Sequence, residues 1–182
     1  MLTTRELTLL ATAAILIFWM VGAYNRIVAL RNKVVQSWLQ VDEPLRRRKE
    51  VLALLMPVLA EAWPGEQGAI EAVNAAQLQV SLAADAMRAK PVLATAAERL
   101  VQADRQLAAA LVRVRALADH DTALKARDDV PLWLADLREA EQRLAFGRQL
   151  FNDAVLACNL AAHQWPTRLL VKLYGFEDVG PL

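Results

Sequence analysis

The residues that could do chemistry are few, and their spacing does not suit it. Asp119-His120-Asp121 groups two carboxylates with an imidazole, side chains that can hold a divalent metal. Three consecutive residues rarely converge on one ion, and no second His or Cys cluster complements them, so a capping and turn role is expected. Cys158 and His163 offer a thiol and a base. Five residues apart on a helix, they do not share a face as i and i+4 would. Cys158 falls in an apolar stripe and reads as a small core residue. With one Cys in 182 residues, the chain has no intramolecular disulfide and no multi-cysteine metal or iron–sulfur site. No phosphate loop, Gly-rich dinucleotide turn, HExxH or GxSxG motif occurs. The sequence therefore predicts no catalytic residue, no metal and no cofactor.

Two other polar sets stand out. Asn152 and Asn159 are seven apart and share a helix face beside Phe151 and Val155; with Asn25 and Asn32 they read as structural polar contacts, since a buried amide must be hydrogen-bonded. Arg46-Arg47-Arg48-Lys49 is the densest charge. Residues 26–50 hold seven basic and three acidic residues, a local net of +4. Arg46 lies 21 residues past Asn25, roughly 30 Å along a straight helix and beyond the Debye length. A solvated bundle face is expected there rather than lipid contact. Nucleic-acid binding is disfavoured, because the patch lacks interleaved aromatics and a docking motif.

These residues must be positioned by helices. Hydrophobic residues make up 56% of the chain but aromatics only 6%, and six Gly and seven Pro are too few for a strand-and-turn protein. Lys+Arg 21 against Asp+Glu 20 gives a net charge of +1, which points to no polyanionic partner. Apolar residues recur at spacings of three and four in four stripes. The first runs Ile27, Leu30, Val34, Trp38, Val41, Leu45, Leu52, Leu55 and Leu59, with a kink or new start expected near Asp42 because of Pro44. The second is Ile70, Val73, Ala76, Val80, Ala84 and Met87; the third extends from Leu93 to Leu117. A polar loop, HDTALKARDD, leads to Asp129 as N-cap with Pro131 in the first turn. The fourth stripe runs from Leu134 through Leu144, Gly147 and Cys158 to Trp165, and Pro166 breaks it. An all-α, antiparallel four-helix bundle with no obvious substrate pocket follows.

The opening segment sets the location. Leu7 to Asn25 are 19 residues without a formal charge, including Leu10, Ile15, Phe18, Trp19 and Val21. They span roughly 28 Å, close to the ~30 Å hydrocarbon core of a bilayer. A retained transmembrane helix is preferred over a signal peptide cleaved at Val21-Gly22-Ala23, because the apolar stretch is long for a signal and continues into a helical pattern. The expected domains are a 1–25 anchor and a 26–182 bundle. The basic flank from Arg26 onward places the N-terminus outside and the bundle in the cytoplasm.

Tyr24-Asn25, Leu30-Arg31-Asn32, Trp38, Asp42 and Arg46-Arg47-Arg48 resemble the start of the LemA family, where a membrane helix leads into YN…LRN…W…D…KRR. Phe151-Asn152-Asp153-Ala154-Val155, Asn159, Trp165-Pro166 and Leu173-Tyr174-Gly175-Phe176 are similar to its YNDAV…YN…FP…LFGF ending. The blocks cover roughly a third of the chain, in order, and residues 65–118 carry no distinctive match. The resemblance implies a single-pass protein of the bacterial inner membrane with a cytoplasmic helical bundle and no established catalytic activity. The expected role is a non-catalytic interaction or scaffold module with protein partners or copies of itself, with a sensor or signal-relay bundle as the alternative. Arg31, Asn32, Trp38 and Arg47 are expected to matter near the membrane, and Asn152, Asp153, Asn159 and Phe176 at the distal surface.

Overall fold

The computed structural model describes residues 4–165, 167, 168, 171 and 175–182. Among them are five α-helices and no strand: α1 (Thr4–Ala62), α2 (Gln67–Ala89), α3 (Ala94–His120), α4 (Thr122–Lys125) and α5 (Val130–His163). The all-α architecture expected from the periodicity is what is found. All six residues of the second stripe are buried, as are Leu100, Leu107, Leu111 and Val114 of the third. The stripes fail only at helix ends, where periodicity stops dictating direction. Leu93 is exposed ahead of α3, Ala118 is buried where Leu117 was expected, and Trp165 is 80% exposed beyond the end of α5.

The helices run alternately down and up. As numbering rises along α1 it falls along α5: Ile27 packs with Ala161 and Ala162, Trp38 with Phe151, and Arg47 pairs with Asp136. Helices α2 and α3 form a hairpin through Lys90–Leu93 that covers the other side of the core. Asp129 caps α5, its carboxylate accepting the Val130 N–H at 2.9 Å, with Pro131 in the first turn as expected. The loop before it is not purely polar. Asp121 caps the short α4, which turns Leu124 into the core.

Pro44 does not start a new helix. α1 is continuous for 59 residues through both Pro44 and Pro57, so the 1–25 and 26–182 divisions meet inside one helix without a linker. A proline inside a helix withholds an N–H from the carbonyl four residues back and costs about 3 kcal/mol. At Pro44 the orphaned carbonyl belongs to Gln40. Gly147 of α5 packs its Cα against that oxygen, so closely that a Cβ would collide with it. The contact is a Cα–H···O approach that only glycine permits. At Pro57 the freed carbonyl is that of Ala53, an exposed residue, where water can take the place of the missing donor.

α1 and α5 reach further than the α2–α3 hairpin. Arg88, in the last turn of α2, is level with Asp42, whereas α1 and α5 still pack together at Ile27. That difference leaves a notch of roughly 22 Å along α1. Residues 175–182 fill it.

Candidate functional site

The notch is closed by two asparagines acting as a strand partner. Asn159 donates Nδ2 to the Val179 carbonyl at 2.9 Å, and its Oδ1 accepts the Val179 N–H at 3.0 Å. Asn152 treats Leu182 the same way, both contacts at 2.8 Å. The spacing explains the pairing. Seven residues of helix advance about 10.5 Å, and three residues of extended chain cover about 10 Å. Each amide therefore meets one backbone donor–acceptor pair. The asparagines are structural polar contacts, as the sequence suggested, but not at the surface far from the apolar stretch. Because α5 runs back along α1, Asn159 and Phe176 lie toward Tyr24 and Ile27, and Arg47 lies further away, paired with Asp136. Asn25 and Asn32 remain exposed on α1.

Around this clamp the tail meets α1 and α3. The Arg31 guanidinium lies 5.0 Å from the Phe176 ring centroid and donates to the Glu177 carbonyl at 3.2 Å. Phe176 also faces Tyr24, ring centroids 6.4 Å apart. Gly175 has φ +64°, the left-handed region that favours glycine, and turns the chain into the tail. Val179 is buried in the main core, and Gly180 rests on Ala94 at the start of α3. His163 Nε2 lies 3.0 Å from the Asp178 carboxylate, so it serves the tail and not Cys158. Cys158 is buried, and that burial pushes its thiol up.

A second polar centre sits mid-bundle. Asp104 of α3 receives Arg48 of α1 at 2.5 Å and Arg148 of α5 at 2.7 Å, tying three helices at one carboxylate. Burial alone would raise the Asp104 carboxyl. The two guanidiniums outweigh it and hold the group below the usual carboxylate range. Asp42, also buried, accepts Arg46 at 2.8 Å and Arg88 at 2.7 Å. The basic cluster is therefore a solvated face in three of its four residues, Arg46, Arg47 and Lys49 being exposed, and departs from that expectation at Arg48. Arg48 is inside the core, Arg47 pairs with Asp136 at 2.5 Å, and Arg46 covers Asp42. The sequence reading missed Asp104, although a carboxylate at an apolar stripe position between Leu100 and Leu107 is a visible signal.

The remaining expected residues are distributed along α1 and α5. Leu30 is half-buried, Trp38 packs edge-on against Phe151 at 6.4 Å, and Asp153 is exposed. Pro166, Leu173 and Tyr174 lie outside the described residues. Asp121 accepts both the Leu124 N–H and the Trp63 Nε1–H (2.8 Å), contacts that hold its carboxyl below the usual range, the Leu124 bond first. Among the described residues no group of three or more His, Cys, Asp or Glu is arranged to hold a metal.

From Leu7 to Asn25 no residue of α1 is buried, Leu7, Leu10, Ile15, Phe18, Trp19 and Val21 included. This stretch is long and apolar enough to cross a membrane, by length and composition. The molecule is thus an all-helical bundle whose first helix continues outward as an unburied apolar rod. Residues 37–180 match the LemA family, and the chain belongs to it. The match takes in the middle of the chain, where no motif was legible, and begins after the Tyr24-Asn25 and Leu30-Arg31-Asn32 blocks. No curated protein matches the chain.

Proposed function

We propose that this LemA-family protein is a membrane-anchored, non-catalytic bundle that serves as an interaction or scaffold module on the cytoplasmic face of a bacterial membrane. The observation that carries the reading is the unburied apolar stretch from Leu7 to Asn25, continuous with the first bundle helix. A soluble protein would have to leave about five turns of Leu, Ile, Phe and Trp in water. A bilayer removes that cost. The basic flank after Asn25 favours the bundle on the cytoplasmic side.

The non-catalytic part rests on where the polar groups are spent. Asp104, Asp42, Asn152, Asn159 and Asp121 are each engaged in holding one element to another. The groove between α1 and α2, about 430 Å³, is lined by Arg46, Lys49, Glu50, Gln77, Asp85 and Arg88 among others. Its charges are of both signs. Crosslinkers placed on exposed positions of α2 and α3 in intact membranes test the reading. Capture of defined proteins, or of a second copy, lost when residues 4–25 are deleted, is the expected result. Turnover of a metabolite abolished by substitution of His120 or Cys158 would contradict it.

A further inference from the structure

We infer that the C-terminal end of α5 makes a second contact with the bilayer, with Trp165 and Leu160 seated at its headgroup and upper hydrocarbon layers and Leu156 at its outer edge. The inference rests on the membrane reading of α1 given above. Its first support is a ring contact. Trp165 is 80% exposed, yet its ring centroid lies 6.0 Å from that of Trp19. Trp19 is six residues before Asn25, about 9 Å inside the end of the apolar stretch. Whatever depth the bilayer gives Trp19, Trp165 shares it. Tryptophan, apolar with one N–H donor, favours that zone.

The second support is register. Ile27 packs against Ala161, so the neighbouring Leu160 stands within about a turn of Asn25. The headgroup layer is about 5–8 Å deep on each side, and Leu160 falls inside it. Leu156, one turn further out, reaches its edge. Both are more than half exposed, on the face of α5 turned away from the core. Further from the span the same helical face carries Gln149, Gln142 and Arg138. Charge at this end is mixed: Arg26 and Arg168 are exposed and suit anionic headgroups, while Glu177 and Asp178 are exposed too, Asp178 beside His163. The two contacts, α1 through the bilayer and α5 against it, would fix the roll of the bundle about the α1 axis.

The test uses the full chain in phosphatidylcholine–phosphatidylglycerol vesicles. Single cysteines at positions 15, 146, 160 and 165, in a Cys158→Ala background, carry an environment-sensitive fluorophore, and brominated lipids act as quenchers. Phe146 is the control, because it is as exposed as Leu160 but about 21 Å further along α5. Quenching at 15, 160 and 165 severalfold above that at 146 is expected. Quenching at 15 alone overturns the second contact and leaves the anchor standing. A blue shift at 160 or 165 without bromolipid quenching means that another copy covers the face, and also overturns it. No quenching at 15 removes the anchor and this inference together. The chain without added cysteines gives an independent reading. Trp165→Ser is expected to lower the bromolipid-quenchable share of tryptophan emission, and no change overturns the contact.

Discussion

The middle of the bundle and its end nearest the apolar stretch of α1 are both fastened by polar side chains, but with different chemistry. At Asp104 two guanidiniums meet one buried carboxylate, and three helices depend on it. At Asn152 and Asn159 neutral amides hold a single extended tail to one helix. A buried charge left unpartnered is far costlier than a neutral group that can turn to water. The first device therefore ties three helices together, and the second fastens an extended tail whose release is expected to cost less than unfolding the helices.

Asp104→Ala is the largest break expected. It strands Arg48 in the core and is expected to lower stability by about 3–5 kcal/mol, measured by chemical denaturation. Gly147→Ala attacks the α1–α5 seam, forcing a methyl into the Gln40 carbonyl, for an expected loss of about 1–3 kcal/mol. Asn159→Ala is expected to cost about 1 kcal/mol globally. Its larger signature is local, with faster hydrogen exchange at Val179 and Leu182 and easier proteolysis of the tail. If Asn159→Ala destabilised the whole bundle as much as Asp104→Ala, the contrast between the two regions would fail.

Acid sharpens the same comparison. Asp104 has a folded-state pKa below its unfolded value of about 3.9. Its contribution to stability is complete above that unfolded value and is lost as pH falls through the folded one. Melting temperature should drop below about pH 4, with a shallower acid limb in Asp104→Asn, while the amide clamp adds no such slope. The smallest effect is expected at Arg113. Its bidentate pair with Glu66 is solvent-exposed, and Arg113→Ala should leave the melting temperature within experimental error.

Much of this was legible in the residue pattern. Stripes at helical spacing named the buried faces of α2, α3 and α5, because a 3.6-residue period admits one inward side. The Pro131 start of α5 was legible from Asp129. Continuity at Pro44 was not, since the compensating group, Gly147, lies over a hundred residues away and is defined by what it lacks. The shared face of Asn152 and Asn159 could be read from their separation of seven. Their partners could not, because the backbone at 179 and 182 leaves no mark in the side-chain pattern. The basic run misled at Arg48, because a string of like charges says nothing about carboxylates brought to it from α3 and α5.

The unbroken length of α1 has a consequence of scale. From Asn25 to Ala62 the helix advances by 37 residue steps, about 55 Å. In a bilayer that takes the stretch ending at Asn25, the Trp63–Asp121 corner stands at that height if the rod is upright, and lower by the cosine of its tilt. The protein is then a ruler, and any partner gripping its far corner is held at a set altitude over the lipid.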